Sequence, residues 1–318
     1  MNFQQLRSVR ETIRQGFNLT TVAEVLNTSQ PGVSRQIKEL ESELGIELFV
    51  RVGKRLTGLT PPGQRVLPIV ERLLQEADNL KRAGDDFAKE GRGLLSVAAT
   101  HSQARYALPP AVKDFLQAHP GVTLNLHQGS PEQVARMLLS GEADIGIATE
   151  SLANYPDLLA LPCYAWTHVV VVPHGHPLLA LHTPQQPVSL QTLVRFPLIT
   201  YEAGYTGRNH IDEAFRRAEV QPNVVLSAMD ADVIKTYVEL GMGIGIVASI
   251  AFDEERDRHL QAIDVRHLFA TNTTRLAIRK GAYLRDYAYG FIQNFAPPLT
   301  RRMVDQALMD EDHSRFEI

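Results

Sequence analysis

Residues 29–45 carry the pattern that most constrains this chain, a capped amphipathic helix. Ser29 is a residue type that caps helix N-termini, and Pro31 suits the first turn, where a missing N–H costs nothing. Gly45 is a typical residue for the end of the helix. The apolar residues fall three or four positions apart, which predicts one buried face made of Val33, Ile37, Leu40 and Leu44.

A shorter helix precedes this segment and a basic hairpin follows it. Thr21 and Glu24 have the spacing of a capping box, which predicts a helix to about Leu26 and then a tight turn. Residues 46–49 predict a strand, and residues 51–57 predict the basic tip of a hairpin before a second strand. Residues 1–60 are therefore predicted to form a winged helix-turn-helix domain.

The polar face of the predicted helix carries residue types that contact duplex DNA. Arg reads guanine, Gln reads adenine, and Lys and Ser contact the backbone. Residues 1–60 contain eight Lys and Arg against six Glu, whereas the whole chain has a net charge of −4. Any short helix pair with surface cations would look similar, but a wing in the right place favours DNA binding. The predicted DNA-binding residues are Ser29, Gln30, Pro31, Ser34, Arg35, Lys38, Arg51, Lys54 and Arg55.

Residues 61–92 predict a long connecting helix that starts with Thr60 and Pro61. Its apolar residues follow heptad spacing and are Val66, Val70, Leu73, Ala77, Leu80 and Phe87. This pattern is typical of a dimerisation helix, although an amphipathic helix packed on its own domain would show the same spacing. Pro68 lies inside the helix and predicts a kink, and residues 84–93 predict a hinge.

Residues 93–318 alternate short apolar strands with amphipathic helices, which predicts mostly parallel sheets with helices on both faces. The predicted strands are 94–99, 122–127, 144–148, 167–172, 197–200, 224–227, 243–248 and 275–279. The predicted helices are 109–118, 131–140, 207–217, 230–240, 282–294 and 299–309. This number of strands predicts two lobes, with lobe I at about 93–163 and 268–295 and lobe II at about 164–267. Such bodies bind ligands in the crevice between lobes.

Three predicted helix starts follow strands at this crevice, at residues 100–103, 130–133 and 206–208. Free N–H groups at helix N-termini bind anions without a cationic side chain. Plain helix termination explains each cap taken alone, whereas the three together favour an anion pocket.

The motifs of the first domain resemble those of the LysR-type transcriptional regulators. Residues 29–36 read SQPGVSRQ, and residues 48–51 read LFVR. The body resembles the CysB branch of that family at residues 99–109 (ATHSQARYALP), 127–133 (HQGSPEQ), 161–164 (LPCY), 204–208 (GYTGR) and 230–237 (DADVIKTY). The resemblance covers nearly the whole chain. It implies a periplasmic-binding-protein-like effector domain, a dimer or tetramer that binds dyad half-sites, RNA polymerase as a partner, and activation of sulfur assimilation and cysteine biosynthesis genes.

The resemblance also implies an acetylserine-like inducer, with sulfate or thiosulfate able to occupy the same site. Glu202 departs from the branch, whose members carry a neutral hydroxyl residue there. A carboxylate would repel a bound dianion, or it could hold the ammonium group of O-acetylserine. Together with the helix caps, the predicted effector-binding residues are Thr100, Ser102, Gln103, Ser130, Thr149, Glu202 and Thr206.

Other functions are less consistent with the sequence. A regulator of sulfonate utilisation or of another small-anion pathway is the alternative within the family, and a small-anion solute-binding protein is the alternative outside it. No assembled catalytic set, cofactor motif or metal site is recognisable, so we expect a non-enzymatic protein without a cofactor or metal. Cys163 is the only cysteine, and no apolar run approaches the ~18 residues of a membrane span. A cytoplasmic location without a membrane partner is therefore expected.

Overall fold

The computed structural model describes residues 1–53, 55–88, 92–182, 187–205 and 207–309. The chain divides into two compact units, Met1–Ala88 and Lys89–Ile318. Among the described residues, no helix is both long enough and apolar enough to cross a membrane.

The first unit is a winged helix-turn-helix, as predicted. Its elements are α1 (Phe3–Arg14), α2 (Leu19–Val25), α3 (Gln30–Leu44), β1 (Phe49–Val52), β2 (Arg55–Leu59) and α4 (Pro61–Ala88). Ser29 caps α3 and Gly45 ends it in the left-handed conformation. The prediction for Leu44 was wrong, because this side chain is exposed while Val33, Ile37 and Leu40 are buried.

Two local predictions in this unit were also wrong. Asn18 caps α2, because its side-chain oxygen accepts from the N–H groups of Thr20 and Thr21, so the helix starts before the predicted capping box. The first strand begins at Phe49, because the N–H of Ile46 still bonds the carbonyl of Glu41 beyond the end of α3. Arg51 and Arg55 consequently lie within the paired strands and not at the tip of the hairpin.

Helix α4 starts as predicted and continues through Pro68. The Thr60 hydroxyl accepts from the N–H of Gly63 at 3.0 Å, which confirms the predicted start. The predicted heptad positions do not share one surface, since Val70 packs into the core of the unit while Leu73 and Leu80 are exposed. The side chain of Phe87 lies outside the described residues.

The second unit contains ten strands and eight α-helices among its described residues. They are β3 (Gly93–Ala99), α5 (Leu108–Ala118), β4 (Val122–Gln128), α6 (Pro131–Ser140), β5 (Ile145–Ala148), β6 (Leu158–Trp166), β7 (His168–Pro173), α7 (Pro177–Ala180), α8 (Leu190–Leu193), β8 (Leu198–Tyr201), α9 (Arg208–Arg217), β9 (Val224–Ala228), α10 (Ala231–Glu239), β10 (Ile244–Ala248), β11 (Leu260–Asp264), β12 (Asn272–Arg279), α11 (Asp286–Phe295) and α12 (Arg301–Met309).

These elements form two lobes, each built on a five-stranded sheet. The sheet of lobe I has the order β4-β3-β5-β12-β6, and the sheet of lobe II has the order β11-β7-β10-β8-β9. Helices cover both faces of each sheet, as predicted. In lobe I, for example, Phe115 and Phe291 pack on one face and Leu138 on the other.

The sheets are mixed, so the prediction of mostly parallel sheets was wrong. The strands that connect the lobes are β6 and β12 in lobe I and β7 and β11 in lobe II. Each of them pairs antiparallel to its neighbours. The predictions missed β6 and β11. The chain leaves the sheet of lobe I after Trp166 and returns to it at Asn272, a few residues beyond the predicted crossings near 163 and 268.

Candidate DNA-binding and effector-binding sites

The N-terminal half of α3 displays most of the predicted DNA-contacting side chains at the surface. Gln30, Pro31, Arg35 and Lys38 are exposed, and Ser34 is half-buried. Ser29 accepts a hydrogen bond from the N–H of Gly32 at 3.2 Å, which fixes the start of the helix. Arg35 Nε lies 3.1 Å from Glu39, but the arginine is 80% exposed, so this ion pair is weak enough for DNA to replace.

A buried carboxylate joins this helix to the wing. Glu41 Oε1 accepts from the N–H groups of Leu48 and Phe49 at 2.9 and 3.2 Å, and Oε2 accepts from Arg51 at 2.8 Å. The Arg51 guanidinium is therefore engaged inside the domain, whereas Arg55 is exposed on β2. Lys54 lies outside the described residues.

The predicted effector residues of lobe I meet at one edge of its sheet. Thr100 follows β3 and Thr149 follows β5, and the N–H of Thr100 bonds the carbonyl of Ile147 at 3.1 Å. Both side chains are buried, as are Ser102 and Gln103. Ser102 Oγ has no hydrogen-bond partner among the described residues. The edge therefore presents hydroxyl and amide groups that carry no charge.

Gln103 does not form the predicted capping box with Thr100. Its side-chain nitrogen donates to the Thr274 hydroxyl at 2.9 Å, and its oxygen accepts from the hydroxyl of Tyr164. The chain forms a π-helical turn at Gln103–Ala107 instead of entering α5 directly. This turn aims Gln103 at β12 and β6, and π-helical turns are frequent at functional sites.

Ser130 forms the predicted capping box at the start of α6. Its hydroxyl accepts from the N–H of Gln133 at 3.2 Å, and the Gln133 side chain accepts from the N–H of Ser130 at 2.7 Å. The N–H of Gly129 bonds the carbonyl of Ala99 at 3.1 Å, so this helix starts at the same edge of the sheet as Thr100.

Lobe II contributes the C-terminal end of β8 and the N-terminal end of α9 to the cleft. The buried Tyr201 hydroxyl accepts from the N–H of Ala248 at 3.0 Å and lies close to Ser102, and burial raises the pKa of Tyr201. Glu202 follows directly and is exposed. Thr206 lies outside the described residues. Gly207 approaches Asn272 so closely that a Cβ atom on it would lie 2.3 Å from the asparagine oxygen.

A charged cluster at the same cleft has the composition of a cation site, but one of its carboxylates makes other contacts. Potential ligand atoms of His101, Asp230 and Asp232 lie within 4.8 Å of one another. Both oxygens of Asp232 are already engaged, one by Tyr106 at 2.7 Å and the other by Arg105 at 3.4 Å. The carboxylate of Asp232 is therefore engaged in contacts that join the two lobes.

Two families match the chain, each over a separate segment. The bacterial regulatory helix-turn-helix protein, lysR family, matches residues 3–64, and the LysR substrate binding domain matches residues 88–297. The chain belongs to the LysR family. The predicted family and the predicted order of a DNA-binding head and an effector-binding body are thereby confirmed. The head also distinguishes this LysR-family chain from a solute-binding protein.

Relatives of the chain cover nearly its full length. It is 57% identical to the HTH-type transcriptional regulator SsuR of Burkholderia cenocepacia, over 94% of this chain and 96% of that protein. It is 52% identical to CysB of the same organism, over 99% of both chains. It is 48% identical to the regulator cbl of Escherichia coli, over 100% of this chain and 99% of that protein. These relatives are named as transcriptional regulators and not as enzymes.

Solved structures agree with this fold. The cofactor-binding domain of the Cbl transcriptional regulator is 43% identical, with a TM-score of 0.66 over 70% of this chain and 95% of that chain. Full-length CbnR complexed with target DNA has a TM-score of 0.57 over 94% of this chain and 100% of that chain, and at 20% identity it supports the fold alone.

Several residues at the cleft were not predicted as functional. Tyr106, Tyr164 and Asp232 lie in segments that carry the family resemblance, but neither spacing nor residue type distinguished them from core or surface residues. Thr274 lies on β12 and had no recognisable signal. Each becomes notable only through its contacts across the fold.

Proposed function

We propose that this LysR-family regulator controls genes of sulfur assimilation and cysteine biosynthesis in response to an acetylserine-like or sulfate-like effector. The observation that carries the proposal is the meeting of Thr100, Ser102, Gln103 and Thr149 at one buried edge of the cleft. Relatives named CysB, Cbl and SsuR match along almost the whole chain and support the same reading.

The donors at this edge suit a small anionic or acetylated ligand. Hydroxyl, amide and helix N-terminal N–H groups can hold an anion without a paired cation. The nearby cations are engaged elsewhere, since Arg208 donates to Asp212 at 2.7 Å and Lys235 donates to Asp257 at 2.8 Å. A ligand in this cleft would therefore be recognised by hydrogen-bond geometry more than by charge.

DNA binding in this proposal uses two copies of α3. Leu73 and Leu80 are exposed on α4, with Ile69 one turn before Leu73. A second copy of this helix would cover them and place two recognition helices on half-sites related by a two-fold axis. We propose this dimer, its further pairing into a tetramer and a contact with RNA polymerase as the assembly that responds to the effector.

Growth and transcript measurements in the encoding strain test the proposed pathway. A deletion strain should fail to grow with sulfate as sole sulfur source, should grow when cysteine is supplied, and should lose induction of the sulfate assimilation transcripts. Normal growth on sulfate together with unchanged transcripts would contradict the proposal.

A regulator of sulfonate utilisation is the second candidate. The greater identity to SsuR than to CysB of the same organism favours it, at 57% against 52%. In this case the deletion strain would grow normally on sulfate and fail on an alkanesulfonate. The two candidates thus give opposite results on sulfate in the same growth experiment.

We further propose that Glu202 selects between effectors. Its exposed carboxylate follows β8 at the cleft, where it would repel a dianion and attract an ammonium group. Calorimetric titration of wild type and Glu202→Thr with sulfate, O-acetylserine and N-acetylserine tests this. The variant should bind sulfate more tightly and O-acetylserine less tightly, and unchanged sulfate affinity would rule out the proposed repulsion.

A further inference from the structure

One carboxylate of lobe II is held by two side chains of lobe I. The Tyr106 hydroxyl donates to Asp232 Oδ1 at 2.7 Å, and Arg105 Nε lies 3.4 Å from Asp232 Oδ2. Tyr106 belongs to the π-helical turn before α5, whereas Asp232 lies in the first turn of α10. This contact crosses the cleft next to the predicted effector residues.

A buried ion pair supports the lobe II side of this contact. Lys235 Nζ donates to both oxygens of Asp257 at 2.8 and 3.0 Å and to the carbonyl of Ala251 at 2.9 Å. It also lies 3.5 Å from Asp232 Oδ1 and 5.1 Å from the centre of the Tyr106 ring. The cation is anchored in lobe II and attracts both partners of the inter-lobe hydrogen bond.

The protonation states suit a persistent hydrogen bond. Burial and the bond to Asp232 raise the pKa of Tyr106 far above its ordinary value, so the phenol remains a donor. Burial opposes ionisation of Asp232, but the Tyr106 bond and the charges of Lys235 and Arg105 hold its pKa below its ordinary value. The donor and the acceptor are therefore both in place at neutral pH.

The predicted effector residues behind this contact are buried. Thr100, Ser102, Gln103 and Thr149 are only between 1 and 7% exposed, and Tyr201 of lobe II lies close to Ser102, so lobe II covers this end of the edge. Tyr106 follows Gln103 in the same π-helical turn, and its hydrogen bond to Asp232 runs from lobe I to lobe II beside these residues.

We propose that Tyr106 and Asp232 form a latch that keeps the lobes closed and gates the passage of effector into and out of the cleft. They are positioning residues that act on lobe closure. The inference rests on the proposed function in one respect, namely that the effector binds at Thr100–Gln103. A latch present in both the empty and the filled closed states changes exchange rates more than equilibrium affinity.

Stopped-flow binding of O-acetylserine and, separately, of sulfate tests the gate, with Trp166 as the reporter. Trp166 is the only tryptophan of the chain and is the last residue of β6 before the crossing to lobe II. Tyr106→Phe should raise the association and dissociation rate constants together by about tenfold, the effect of one hydrogen bond to a carboxylate. The Kd should change by less than about threefold. A weaker Kd without faster association would overturn the gate.

Tyr289→Phe is the matched control. Tyr289 donates to Asp305 at 2.5 Å and lies under a cation, with Arg301 4.5 Å from the ring centre. All three residues belong to lobe I, because α11 and α12 pack in its core. This variant loses the same kind of hydrogen bond and should leave both rate constants at their wild-type values. Equal effects of Tyr289→Phe and Tyr106→Phe would overturn the proposal.

A measurement without ligand separates the latch from the proposed effector. Pulsed electron paramagnetic resonance measures the distance between the lobes. The spin labels are placed at Asp114 on α5 and Arg216 on α9, in a Cys163→Ser background. Tyr106→Phe and, as a second variant, Asp232→Ala should add a longer distance that Tyr289→Phe lacks. Wild-type distances in both latch variants would overturn the latch. If neither ligand binds wild type, the proposed function fails while this measurement still decides the latch.

Discussion

The attachment of the wing to the recognition helix through Glu41 can be tested by substitution. Glu41→Ala removes the acceptor of three hydrogen bonds and leaves the buried N–H groups of Leu48 and Phe49 and the Arg51 guanidinium without it. Removing one partner of a buried charged pair costs ~3–5 kcal/mol. Glu41→Gln keeps an oxygen for the two N–H groups but loses the acceptor for Arg51, so its cost should be ~1–2 kcal/mol.

Hydrogen exchange of the full chain, followed in peptides that cover residues 45–60, measures this loss. Glu41→Ala should speed exchange there by at least about 100-fold, since each ~1.4 kcal/mol is a factor of ten, and should weaken DNA binding. Glu43→Gln on the same helix is the control, because Glu43 is exposed and its ion pair with the N-terminus should contribute less than ~1 kcal/mol. Equal exchange in Glu41→Ala and Glu43→Gln would refute the anchoring role.

Three further predictions concern packing and charge. Gly63→Ala should destabilise the first unit by ~1–3 kcal/mol, because its Cβ would lie 2.1 Å from a backbone carbonyl oxygen. Gly84→Ala meets open space and should stabilise α4 by up to ~1 kcal/mol. Thermal unfolding of the two variants distinguishes these effects. Lys235→Met should cost ~3–5 kcal/mol by leaving Asp257 buried without its cation, and adding Asp257→Leu should recover most of the loss in urea titrations. The pKa of Asp232 is below its ordinary value, because its hydrogen bond and cationic neighbours outweigh burial. The stabilisation of the fold by ionised Asp232 is therefore complete above about pH 4 and is lost as the pH falls through the folded-state pKa. The difference in unfolding free energy between wild type and Asp232→Asn should accordingly stay constant from pH 7 to 5 and shrink below about pH 4.

Elements set by local chemistry were predictable from the sequence. The Ser29 cap, the Gly45 stop and the capping box at Ser130 each depend on residues within a few positions of one another. Strand β6 was missed because its sequence, LLALPCYAW, lacks polar–apolar alternation and contains Pro162. Its pairing with β12 shifts register between Thr274 and Arg275, an adjustment that only the partner strand specifies.

The site residues that follow the ends of strands were predictable from the sequence. The contacts between residues far apart in sequence were not. Thr100 and Thr149 follow strands of one sheet, and the ends of adjacent parallel strands meet at one edge. Gln103 bonds Thr274, 171 residues away. No local spacing connects such partners. The sequence therefore predicted a capping box for Gln103, whereas its side chain bonds Thr274 on a distant strand.

Effector-dependent footprinting tests the central claim most directly. The full-length protein is mixed with DNA upstream of the sulfur assimilation genes and titrated with O-acetylserine or sulfate. We predict protection of two half-sites related by a dyad, a change of pattern with effector, and loss of that change in Ser102→Ala combined with Thr149→Val. A dyad footprint that neither ligand alters, or one that responds equally in the double variant, would contradict effector binding at this cleft.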